Sequence, residues 1–246
     1  MARRRFFVDT IRAGSAELTG EEARHLVRVL RVERGQNFEI SDNSAPYLAE
    51  VTEIGRERVV FRVIEPIERR NAPLQVVLYA ALVKFDRFEW TVEKATELGV
   101  SSIVPFEAER TERGLAKAGV KRVERWRRIA REASEQSRRD RMPEVLAPVA
   151  LAACLKETAP YRYLLDEEPG ARPMAAALPD AACRSATDRA ALLIGPEGGW
   201  TSAERQQAAA AGWMPVSLAP QILRAETAAL AGLSLLVGSW WARATG

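Results

Sequence analysis

Histidine and cysteine are almost absent: the 246-residue chain has one histidine, His25, and two cysteines, Cys154 and Cys183. One imidazole cannot assemble a multi-histidine zinc site, and two distant thiols make neither a disulfide framework nor a Cys-x-x-Cys pair. Ser-His catalysis is set aside on the same ground, and no metal ligand is assigned. Lysine is scarce too, confined to Lys84, Lys94, Lys117, Lys121 and Lys156, so arginine carries nearly all the positive charge. The planar guanidinium fork suits phosphate and base contacts. A phosphate loop is missing, which counts against a nucleotide-dependent enzyme. Long apolar runs are missing as well. Asp9 and Arg12 interrupt the basic start "MARRRFFVDTIRAG". The run "AALAGLSLLVGSWWA" has roughly 15 residues against the ~20 that cross a bilayer. A cytoplasmic protein without membrane association is expected.

What is present supports a globular fold. Hydrophobic residues make up 47% of the chain, enough to bury the core of one large or two small domains. Net charge is +3 with a sequence pI near 9.1, a balance that favours an acidic partner such as nucleic acid.

Residues 1–70 read as short strands around one helix. "RRFFVD", "QNFEIS", "YLAEVTEI" and "RVVFRVIE" are strand-like, and "SDNSAP" supplies a turn. In "LTGEEARHLVRVLR", Thr19 and Glu22 have capping-box spacing, and Leu26, Val29 and Leu30 form an apolar stripe. Glu65 to Pro73 mixes proline, asparagine and charge, which marks a domain boundary. Residues 74–246 follow another pattern. "LQVVLYAAL", "SSIVPFEA", "YRYLLD", "RAALLIG" and "MPVSL" are buried-type strands, interleaved with helical stretches that include a long basic one at 118–139. Alternating strands and helices imply an α/β fold with a largely parallel sheet.

Two loops in this second region invite a ligand. The strand "LLI" empties into Gly195, Pro196, Glu197, Gly198 and Gly199, and Thr201 with Glu204 then restarts a helix at capping-box spacing. Double glycine lets a ligand approach the main chain, while Glu197 would repel a phosphate, so a neutral or cationic ligand fits better. The next strand, "MPVSL", runs into "APQILRAETAALAGL", where Arg224, Glu226 and Thr227 open an otherwise apolar helix. Adjacent loops at successive strand ends are where open α/β sheets bind ligands. Taken alone, the glycine motif reads more readily as an ordinary strand-to-helix turn than as a ligand site, and Arg224 with Glu226 reads also as a local ion pair.

Four ordered motifs, "KATELGV", "EQS" with "RMPEV", "IGPEGGWTSAE" and "ILRAETAAL", follow a module containing "HLVRVLR". Together they resemble the bacterial ribosomal RNA small subunit methyltransferase E family, of the SPOUT class, over nearly the whole chain. The resemblance implies a PUA-like RNA-binding β-barrel at 1–70 and, at 74–246, a parallel-sheet methyltransferase domain with a C-terminal trefoil knot. It implies S-adenosylmethionine as cofactor, held by Leu165, Ile194, Gly195, Pro196, Glu197, Gly198, Gly199, Leu218, Ala219, Ile222, Leu223 and Thr227. The implied reaction methylates N3 of a uridine in 16S ribosomal RNA, in a homodimer acting on that RNA or on the small subunit.

Arg224 is then expected to stabilise charge developing on a uracil oxygen, with Glu226 orienting Arg224 or accepting the N3 proton. Candidate RNA contacts are Arg3, Arg4, Arg5, His25, Arg28 and Arg31 in the first region, and Lys84, Arg87, Arg110, Arg138, Arg139 and Arg141 in the second. Phe6, Phe7, Trp90 and Trp126 read as core. The chain departs from the usual "LGPRILR" loop, with Ala219 and Gln221 at the Gly and Arg positions, and Phe85 follows Lys84 where Gly is frequent. A non-catalytic RNA-binding protein on the same scaffold, or a knotted methyltransferase acting on another RNA site, are the alternatives.

Overall fold

The computed structural model describes residues 5–69, 72–168 and 170–244. The chain separates into two compact units, Met1–Arg70 with Arg131–Met142, and Asn71–Ala130 with Pro143–Gly246. Residues 131–142, assigned from sequence to the second region, therefore group with the first.

The first unit contains β1 (Arg5–Phe7), β2 (Ile11–Arg12), β3 (Ser15–Thr19), α1 (Gly20–Arg28), β4 (Asn37–Ser41), β5 (Pro46–Ile54) and β6 (Arg58–Pro66). They form one sheet in the order β1-β4-β5-β6-β3-β2, antiparallel except for the β1–β4 pair. Alternation is clearest in β3, where Ala16 and Leu18 point inward with Val51, Val59 and Phe61 while Ser15, Glu17 and Thr19 face water. Two expectations for α1 fail. Thr19 sits at the N-cap with an extended backbone, but its side chain makes no capping bond, and Glu22 pairs instead with Arg131. Val29 is 64% exposed because the helix ends at Arg28 and Val29 is already its C-cap, off the apolar stripe that Leu26 anchors.

The second unit runs β7 (Gln75–Ala81), α2 (Phe85–Glu97), β8 (Ser102–Glu107), α3 (Leu115–Val120), α4 (Val123–Gln136, whose last residues belong to the first unit), β9 (Glu144–Val145), β10 (Val149–Ala150), α5 (Leu151–Cys154) and β11 (Tyr161–Leu165). It continues with β12 (Arg172–Pro173), α6 (Met174–Ala177), β13 (Arg189–Ile194), α7 (Ser202–Ala210), β14 (Met214–Ser217) and α8 (Ala225–Ala244). The strands lie in the order β10-β8-β7-β13-β11-β14-β12, with β9 also on β8, and every pair is parallel.

Continuous apolar strands are what a sheet covered on both faces requires. Val76, Leu78, Ala80, Leu192 and Ile194 pack on one face, against Phe88 and Val92 of α2 and Ala229, Leu233 and Leu236 of α8. Tyr79, Ala81, Ala191 and Leu193 pack on the other, with Phe106, Trp200 and Trp213. Helix α8 comes so near the sheet that a Cβ on Gly232 would lie 2.9 Å from Leu192 Cδ2. Phe6, Phe7 and Trp126 are core residues as expected, but Trp90 is 45% exposed because it falls on the outer side of α2. Among the described residues no helix is long and apolar enough to cross a membrane.

Candidate active site

Because β11, β13 and β14 are spatial neighbours and parallel, their carboxyl ends open side by side, and the three chains leaving them enclose a cleft of about 720 Å³. Of the residues expected to hold the cofactor, all but Thr227 line it. Asp166, Glu167, Glu168, Trp200 and Arg87 line it as well and were not among those expected. The acidic run that follows the strand "YRYLL" was the local sign that could have marked the first three.

The glycine turn is shaped by a buried indole. Trp200 is 1% exposed, stacks on Phe106 with the rings 6.0 Å apart, and donates from Nε1 to the Leu165 carbonyl at 2.8 Å. A Cβ on Gly195 would sit 2.8 Å from Trp200 Cε2, so only glycine lets the turn pass over that ring. Gly199 takes a left-handed φ of +69° and donates its N–H to the Pro196 carbonyl at 2.9 Å. The capping box then forms as its spacing predicts: Thr201 accepts from the Glu204 N–H, and Glu204 accepts from the Thr201 N–H. The other oxygen of Glu204, Oε1, accepts from the N–H of Glu109 at 2.8 Å, which explains why a 5%-exposed carboxylate is tolerated.

Charge around the cleft is mostly negative and mostly paired. Asp166 receives both Nε and Nη2 of Arg205, at 2.9 and 3.0 Å, and Glu197 pairs with Arg87. Arg110, outside the cleft, donates to the Gly198 carbonyl at 2.8 Å. Gly195, Gly198 and Gly199 leave main chain open to a ligand, and Asp166, Glu167, Glu168 and Glu197 outnumber the two lining cations, Arg87 and Arg224. This donor set suits a cationic ligand without phosphate, such as a sulfonium.

The other wall, Leu218 to Arg224, is less tied. Ile222 is 81% exposed, and Gln221 and Arg224 also face solvent. Arg224 lines the cleft, whereas Glu226 does not, and among the described residues no ion pair joins them. Glu226 Oε2 is buried without a hydrogen-bond partner.

The expected RNA contacts divide sharply. Arg3 and Arg4 lie outside the described residues. Arg5 is not available to a phosphate: it is 3% exposed, holds Glu39 Oε2 through Nε and Nη2 at 3.1 and 2.9 Å, and also pairs with Asp140. Arg138 pairs with the other oxygen of Glu39. Burial alone would raise Glu39, but hydrogen bonds from Arg138 and Arg5 outweigh it and hold its pKa below the usual carboxylate value. Turning either arginine toward RNA would leave that carboxylate buried and short of a partner, so both are corrected to structural roles. Arg139 is half-buried, and desolvation lowers its pKa to about 10; its Nε donates to the Arg141 carbonyl. His25, Arg28, Arg31 and Arg141 in the first unit, and Lys84 and Arg110 in the second, are exposed.

Residues 70–237 match the family model of an RNA methyltransferase domain, and residues 18–64 that of an RNA methyltransferase PUA domain. The chain is 32% identical over 243 residues to the ribosomal RNA small subunit methyltransferase E of Bacillus subtilis, covering 94% of this chain and 95% of the relative. The chain belongs to the ribosomal RNA small subunit methyltransferase E family. The Synechocystis member is 35% identical over 229 residues, 90% of this chain and 73% of its own. A crystal structure of the family member from Neisseria gonorrhoeae, bound to S-adenosyl methionine, matches with a TM-score of 0.84 at 29% identity, covering 95% of this chain and 96% of that one. For this family member, the α/β fold with its parallel sheet and the PUA domain ahead of it are thereby settled.

Proposed function

We propose that this chain transfers the methyl group of S-adenosylmethionine to N3 of a uridine in 16S ribosomal RNA, as free RNA or within the small ribosomal subunit. It is an RNA methyltransferase by family, and S-adenosylmethionine is its cofactor. The observation that carries the reading is the cleft itself: glycine-lined, rich in carboxylate, placed at three parallel strand ends, with Arg224 on its rim.

The bound cofactor supplies a methyl group activated by sulfonium charge. The chain's residues do the rest. Gly195 to Gly199 and Leu218 to Leu223 hold the donor from two sides. Methyl transfer to N3 requires its proton to leave, and the charge that builds on the flanking carbonyl oxygens is met by Arg224. Glu226 keeps both of its expected roles, orienting Arg224 or accepting the N3 proton: its Oε2 has no hydrogen-bond partner among the described residues, but it is buried and stands outside the cleft lining. His25, Arg28, Arg31 and Arg141 in the first unit, with Lys84 and Arg110 in the second, are the exposed side chains we assign to RNA contacts.

We read the first unit as a PUA-like barrel, supported by its six-stranded sheet, antiparallel in all but the β1–β4 pair, and the end of the second as a trefoil knot, supported by the late strand β13 lying between β7 and β11. A homodimer is part of the same reading, supported by the exposure of Ile222 and of Trp241, which is 63% exposed on the largely apolar α8. The deciding experiment incubates purified protein and labelled cofactor with unmodified small subunits and with naked 16S RNA, then identifies the nucleoside by mass spectrometry. N3-methyluridine is expected; a different methylated nucleoside, or none with either substrate, overturns the reading. Light scattering checks the dimer.

A further inference from the structure

Behind the cleft, one arginine ties together two loops that the sequence separates. Arg205, on α7, does not line the cleft, yet its guanidinium reaches residues that do. Nε and Nη2 clasp both oxygens of Asp166, the first residue after β11, whose side chain is 4% exposed. Nη1 donates at 2.8 Å to the carbonyl of Trp200, the residue that closes the glycine turn after β13. Trp200 returns a bond to the carbonyl of Leu165, and the Asp166 N–H donates to the Val216 carbonyl of β14 at 3.0 Å. The loops after β11 and β13 are thus joined through Arg205 and Trp200, and Asp166 extends the brace to β14.

We propose that Arg205 is a positioning residue for the cofactor: through Asp166 and the Trp200 carbonyl it holds the ends of β11 and β13 at the separation that fits S-adenosylmethionine. The proposal rests on the cofactor assignment made above. A guanidinium is required because the task is a planar fork on a carboxylate plus a third bond to a carbonyl, which a lysine ammonium cannot reproduce. A wall fixed in advance lowers the ordering cost of binding and so acts on affinity, while the reacting atoms, which Arg205 does not touch, leave the chemical step unaffected. Glu167 and Glu168 lie 3.4 Å from the same guanidinium, so Arg205 also holds three neighbouring carboxylates together at the cleft wall against their mutual repulsion.

The test compares the full-length protein with Arg205→Gln, Arg205→Lys and Asp166→Asn. Cofactor affinity is measured by calorimetry, thermal stability by circular dichroism, and kcat and KM on small-subunit RNA. The expected result is a dissociation constant for S-adenosylmethionine raised about tenfold in Arg205→Gln and Asp166→Asn, with kcat at saturating cofactor within about threefold of wild type. Arg205→Lys should fall between and, where Arg205→Gln fails to fold, carries the comparison with Asp166→Asn. A merely structural brace would lower the melting temperature and the active fraction while folded molecules kept wild-type affinity, and that result overturns the proposal. A loss confined to kcat overturns it too. If wild type itself shows no affinity for S-adenosylmethionine, the cofactor assignment fails and takes this proposal with it. Normal wild-type affinity with unchanged variants defeats the brace alone.

Discussion

The two walls of the cleft are built on opposite principles. The turn from Gly195 to Trp200 is held by a stacked buried indole, by the Arg205 fork, and by a capping box locked to Glu109. The segment from Leu218 to Leu223 has one polar side chain, the exposed Gln221, and sends Ile222 into solvent. The first wall is cross-tied by hydrogen bonds and packing; the second presents its side chains to solvent.

The contrast breaks most readily at Gly195. Gly195→Ala drives a Cβ into the face of a fully buried tryptophan, and we expect cofactor affinity to fall about a hundredfold, with stability lowered by about 1–3 kcal/mol, read by calorimetry and thermal melting. Equal affinity in that variant would show the first wall to be as pliable as the second. Next comes Arg224→Ala, expected to reduce kcat about a hundredfold while the dissociation constant for S-adenosylmethionine stays within about threefold. Full turnover in a methylation assay would remove Arg224 from the chemistry. Trp200→Phe keeps the ring but strands the Leu165 carbonyl, at a cost of about 1–2 kcal/mol in chemical denaturation. The smallest effect belongs to the looser wall. Gln221→Arg, which restores the charge common in the family, should leave cofactor affinity unchanged within about twofold and tighten RNA binding a few-fold, with a steeper salt dependence.

Much of this layout is written locally in the chain. Buried parallel strands are legible because both faces of the sheet demand apolar residues, and the capping box at Thr201 because Glu204 is free of any competing cation. The same spacing misled at Thr19, where Glu22 has a cation to answer: burial raises its pKa against the pull of Arg131. Arg5 misled in the same way, since a guanidinium looks alike in sequence whether it awaits phosphate or neutralises Glu39. Partners such as Asp166 and Arg205, brought together only by the strand order, leave no local pattern to read. The grouping of residues 131–142 with the first unit had the same cause, ion pairs between segments far apart in the chain. The glycine turn was found because its constraint is steric and adjacent in sequence; the brace was missed because its constraint is electrostatic and remote.

One topological detail bears on how the molecule is made. Strand β13 lies between β7 and β11, pairing with residues on the order of a hundred positions earlier on one side. While the chain is still emerging during synthesis, β7 is backed by β8 on one side only, and its other edge and that of β11 wait unpaired for the strand that will lie between them. The seam between β7 and β11 closes only once Ile194 has cleared the exit tunnel, with β14 still to follow on the far side of β11, so the segment that joins the two is the one that ends at the glycine turn, and a chain stalled short of it exposes a sticky gap in place of a catalyst.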